Sequence, residues 1–85
     1  SNAWMAYQNN LQLVDLETDN LVTARKYYEI ADYRYMLGQL SGLELREAQT
    51  SLLAAEERMV QALYDTKLCE ISLLQIAGLI YSYLE

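Results

Sequence analysis

The side chains that could do chemistry are few, and they do not form a recognisable set. The chain has no histidine, which removes the commonest general base and metal ligand. The Glu-x-x-His pattern of di-iron sites in helical bundles therefore cannot be written. Ser41 and Ser51 have no base near them in sequence. Cys69 is the only cysteine, which excludes an intrachain disulfide and a cysteine-based metal cluster. It reads as a small buried apolar residue. Gly38 and Gly42 follow a helical pattern rather than a strand, and no phosphate-loop lysine accompanies them. Glu56-Glu57-Arg58 spans roughly three quarters of a helical turn and reads as a solvated face. No catalysis, cofactor or metal is expected.

What these residues do suggest is a turn. In Leu37-Gly38-Gln39-Leu40-Ser41-Gly42-Leu43-Glu44-Leu45, Gly38 is free to take the left-handed conformation that ends a helix. Ser41 and Glu44 have the spacing of a capping box, in which each side chain binds the other's backbone N–H. Leu40 before the cap and Leu45 after it are placed to form a hydrophobic staple. The spacing predicts a sharp bend over residues 38–41, and any site is expected there.

The flanking segments read as two long helices. The 85-residue chain has no proline and three glycines, and it is rich in Ala, Leu, Glu and Gln. An all-α fold follows. Ser1-Asn2-Ala3 reads as a scar of tag cleavage, so the natural protein is expected to extend at both ends. Arm one runs from about Met5 to Leu37 and arm two from Gly42 to about Tyr83. At ~1.5 Å per residue each arm is roughly 50–60 Å long. In arm two, Leu45, Leu52, Met59, Thr66, Leu73 and Ile80 recur every seven residues, with Ala48, Ala55, Ala62, Cys69 and Ile76 in an adjoining row. Arm one has Val14, Leu21, Tyr28 and Tyr35 beside Ala24 and Ala31. These rows are the seam of an antiparallel coiled-coil hairpin.

A further row, Leu16, Thr23, Ile30 and Leu37, lies roughly 200° around the first arm from its seam. Leu13 on that arm and Leu53, Val60 and Leu74 on the other also fall outside the seam. Apolar stripes on two sides suit a curved wall of helices or a dimeric four-helix bundle, and periodicity leaves both open. Hydrophobic residues make up 53% of the chain, more than two helices with one neighbour each can cover. The hairpin is therefore expected to self-associate rather than persist as a monomer. The eight tyrosines, with no phenylalanine, suit the wet rim of a helix interface.

The net charge of −6 and the scatter of the six basic residues argue against nucleic acid and against an anionic membrane surface. The run Ile71 to Leu84 is interrupted by Ser72, Gln75 and Ser82, and it falls short of the roughly 20 residues a membrane span needs.

The pattern Arg34-Tyr35-x-x-Gly38-x-x-Ser41-x-x-Glu44-Leu45-x-x-Ala48-Gln49-x-x-Leu52, followed by Ala62-x-Tyr64-Asp65 and Ala77-Gly78-Leu79-Ile80, resembles the outer membrane efflux protein family, the TolC-like channel proteins. The resemblance covers about residues 24–80. It implies a homotrimeric channel in the outer membrane, with a β-barrel and a periplasmic α-helical tunnel to which this chain would supply one hairpin. It also implies a tip that meets a periplasmic adaptor protein, which connects to an inner-membrane pump for export of drugs or other substrates. The family's tip motif falls on Leu37, Gly38, Leu40 and Ser41 as adaptor-docking residues. Its acidic entrance ring falls on Glu44 and Glu47, although Glu44 already has a local role in the cap. Gly78 falls where the family's helix leaves the tunnel. The chain departs from the pattern in having no barrel strands, one hairpin instead of two, and Gln39-Leu40 where some relatives carry a tip arginine. Two alternatives stand beside it: the hairpin of a periplasmic adaptor (membrane fusion) protein, and a generic self-associating coiled-coil module.

Overall fold

The computed structural model describes residues 2–84. It contains two helices, α1 (Asn2–Met36) and α2 (Gly42–Leu84), and no strand among the described residues. They run antiparallel as a rod of 70 × 15 × 14 Å. The absence of proline and the sparse glycine let each helix propagate unbroken for 35 and 43 residues. Arm one begins earlier than the sequence suggests, at Asn2, and ends one residue sooner, at Met36. Ser1 lies outside the described residues.

The seam follows the heptad. Ala48, Ala55 and Ala62 are 0–1% exposed and Ala31 is 6% exposed, and these four make up the buried apolar core. Leu45, Leu52, Met59, Thr66, Cys69 and Leu73 flank them on α2, half-buried. On α1 the half-buried partners are Asn10, Val14, Leu21, Ala24 and Tyr28. A core of alanines allows the two backbones to approach closely, because a methyl group is all that separates them. It also buries little area, so the seam alone supplies only modest hydrophobic stabilisation.

The stripes outside the seam stay uncovered. Leu16, Ile30, Leu53, Val60 and Leu74 are all more than half exposed. On α1 the stripe sits two residues after the Val14 row, and on α2 it sits one residue after the Leu52 row. At ~100° per residue, those offsets put the two stripes on opposite broad faces of the hairpin. Most tyrosines are exposed, whereas Tyr7 and Tyr28 are half-buried.

One expectation needs correction. Cys69 is half-buried rather than enclosed, with the Asn10 amide donating to its sulfur at 3.5 Å. α2 passes through Gly78 unbroken to Leu84, within a residue of the end the sequence suggests. With Asn10 beside Cys69, α1 runs out near Ile76, and the segment from Gly78 onward extends past it. Leu79, Ile80, Tyr81 and Leu84 are exposed there. No helix is long and apolar enough to cross a membrane among the described residues.

Candidate interaction site

The tip is built from two back-to-back helix terminators. Gly38 has φ of 75°, the left-handed region that costs a glycine nothing and an L-residue with a side chain roughly 1–2 kcal/mol. Its N–H donates to the Tyr35 carbonyl at 3.0 Å, and the Gln39 N–H donates to the Arg34 carbonyl at 2.8 Å. This pair of bonds is the Schellman motif, and it satisfies carbonyls that the end of α1 would otherwise leave open. Arg34 lies in the last turn of α1, where a cation meets the negative end of the helix dipole.

α2 begins three residues later. The Glu44 N–H donates to Ser41 Oγ at 3.1 Å, and the Ser41 N–H donates back to Glu44 Oε1 at 3.4 Å. The Ser41 hydroxyl also donates to the same Oε1 at 3.1 Å. The capping box read from the sequence is therefore present, and a serine N-cap of this kind stabilises a helix by about 1 kcal/mol. Leu40 and Leu45, the residues of the staple, are half-buried.

This framework leaves particular side chains outward. Leu37 is 53% exposed and Leu43 is 68% exposed. Gly38, Ser41, Glu44 and Glu47 are exposed, and Leu40 is half-buried. Beside the tip, an open cleft of about 440 Å³ is lined by Tyr35, Gly42, Leu43, Leu45, Arg46 and Gln49. The surface thus pairs apolar residues with a guanidinium and an amide, a composition suited to contact with another protein chain. The two candidate ring carboxylates differ. Glu44 Oε1 is committed to the cap, whereas Glu47 makes no hydrogen bond or ion pair among the described residues.

Sequence reading missed a polar cluster in the seam. Glu17 is 8% exposed, and its Oε1 accepts from Arg58 Nε at 3.4 Å and from Asn20 Nδ2 at 3.1 Å. Arg58 stays exposed with Glu56 and Glu57, and its Nε reaches Glu17 on the other arm. A signal was available: Asn10 and Glu17 continue the seven-residue row of Ala24 and Ala31 toward the N-terminus. No cluster of side chains able to hold a metal is present among the described residues.

Comparison with protein-family models, with curated proteins and with solved structures returns no match.

Proposed function

We propose that this chain is the periplasmic tunnel hairpin of a TolC-like outer-membrane efflux channel, with its tip docking a periplasmic adaptor protein. The reading joins the sequence resemblance to one observation that carries it. The tip is a rigid chain reversal at the end of a 70 Å rod, and it presents Leu37 and Leu43 to solvent. Leu43 lies beside the Arg46 guanidinium and the Gln49 amide in the tip cleft, the mix of apolar and polar groups that a protein partner contacts. In this reading Leu37, Gly38, Leu40 and Ser41 form the docking surface, and Glu47, with a free carboxylate, is the stronger candidate for an acidic ring at the entrance. Glu44 serves the cap first. The protein acts by assembly and not by catalysis, needs no cofactor, and works as a homotrimer whose partners are the adaptor and an inner-membrane pump.

The uncovered stripes support the same reading. Because they lie on opposite faces, the α1 stripe of one hairpin can meet the α2 stripe of the next, and repetition of that contact builds a wall. A two-fold dimer covers only one of them. A second reading, a self-associating coiled-coil module from another class of protein, is favoured by one fact: Gly38, Ser41 and Glu44 are fully accounted for by the chain reversal itself.

Leu37→Asp in the full-length protein separates the two, since Leu37 takes no part in the cap bonds through its side chain. Efflux by cells carrying it is expected to fall toward that of cells without the channel, at normal expression and trimer assembly. Unchanged drug resistance would rule out tip docking.

A further inference from the structure

Glu17 is the one charged group among the buried residues described, in a seam whose half-buried flanks are mostly Ala, Leu, Val, Tyr, Met, Thr, Cys and Asn, with Asp32, Asp65 and Glu70 beside them. Burying a carboxylate between two helices is costly unless a partner neutralises it. Here the partner is specific: Arg58 of the opposite helix, at 3.4 Å, with Asn20 completing the site from α1. The rest of the seam is nearly degenerate. A shift of α2 by seven residues replaces Ala55 with Ala48 or Ala62 and Leu52 with Leu45 or Met59, so the apolar contacts hardly distinguish one heptad register from the next. The residues that would replace Arg58 opposite Glu17 are Ser51 in one direction and Asp65 in the other. Serine is too short and uncharged, and aspartate repels.

We infer that Glu17 is a register key: a carboxylate roughly 30 Å along α1 from the tip, which the other arm satisfies in one alignment only. The Schellman motif and capping box hold the register at the Gly38 end, and the Glu17–Arg58 pair adds a second, specific match further along the rod. The key fixes the middle of the rod and penalises pairing of α1 with a slipped neighbour or with another α1. Single buried polar residues set alignment in coiled coils in the same way, at some cost in stability.

The test uses Cys69 as a fixed reporter. Asn10→Cys places a second thiol at the in-register position, since the Asn10 amide lies 3.5 Å from the Cys69 sulfur. Ala3→Cys places it one heptad away instead. Each is oxidised with diamide, which takes two thiols to one disulfide, in the parent chain and in the Glu17→Leu and Glu17→Gln backgrounds. Ala3 and Cys69 line one cleft, so in the parent the disulfide is expected at higher yield from position 10 than from position 3. In Glu17→Leu the position-10 yield is expected to fall about fivefold, which corresponds to losing a register preference of ~1 kcal/mol, while the melting temperature holds or rises. Glu17→Gln should show a smaller fall. Undiminished position-10 crosslinking in both variants overturns the inference. So does a fall accompanied by a lower melting temperature, which would make the pair an ordinary stabilising contact.

Discussion

Gly38 is the residue on which the tip depends. An added Cβ there would meet nothing within 4 Å, so the position is closed to other residues by backbone conformation and not by crowding. Gly38→Ala is expected to destabilise the hairpin by about 1–2 kcal/mol in urea unfolding, whereas D-alanine at the same position, which prefers positive φ, should cause no loss. Equal destabilisation by both would show that something other than handedness is at stake. Ser41 and Glu44 were legible in the sequence for the same reason as Gly38: a cap is made by residues three apart, so its meaning is local. The row of Glu17 could be followed in the sequence, but its partner could not. Its role depends on Arg58, 41 residues away, and nothing in the sequence near Glu17 indicates which residue will lie across from it.

Between elements, the seam is a contact of small residues, and this sets what it tolerates. Ala55 is 1% exposed, so a larger side chain there must push α1 away along a stretch on both sides. Ala55→Leu is expected to cost about 1–3 kcal/mol by overpacking, while Gln61→Leu on the exposed face of the same helix should stay within ~0.5 kcal/mol of the parent. Thermal unfolding of the pair decides the matter. If Ala55→Leu were neutral or stabilising, the seam would be looser than its burial implies. The heptad rows of α2 hold from Leu45 to Leu73 because apolar periodicity is strong there, whereas Ile76 and Ile80 of the same rows are exposed. On α1 the same row passes through Asn10 and Glu17, whose polarity hides it from a search for hydrophobic residues.

For the molecule as a whole, the placement of the two exposed stripes decides how copies can meet. Stripes on opposite faces and on different helices favour a head-to-tail contact over a self-complementary one. A chain with Leu16→Lys and Ile30→Lys loses one side of that contact, and a chain with Val60→Lys and Leu74→Lys loses the other. Each variant alone is expected to lose association in sedimentation velocity, and an equimolar mixture should form a one-to-one complex through the two intact stripes. Association of the α1-stripe variant with itself would instead indicate a symmetric pairing of α2 stripes. The apolar segment from Gly78 to Leu84 adds exposed surface at the far end of the rod, away from the tip.

The sequence by itself determined what is local or periodic: two long helices, the bend between them, its caps, and the heptad that joins the arms. These follow from backbone preferences and from side chains within a turn or two of one another. The tertiary structure decided where α1 starts, at Asn2, and left Ile76 and Ile80 of the α2 rows exposed. It also showed that Cys69 is only partly covered and that a buried carboxylate is matched to an arginine on the opposite arm. Those outcomes depend on which residues face each other across the seam, and that is fixed only when the two helices are laid side by side in one register.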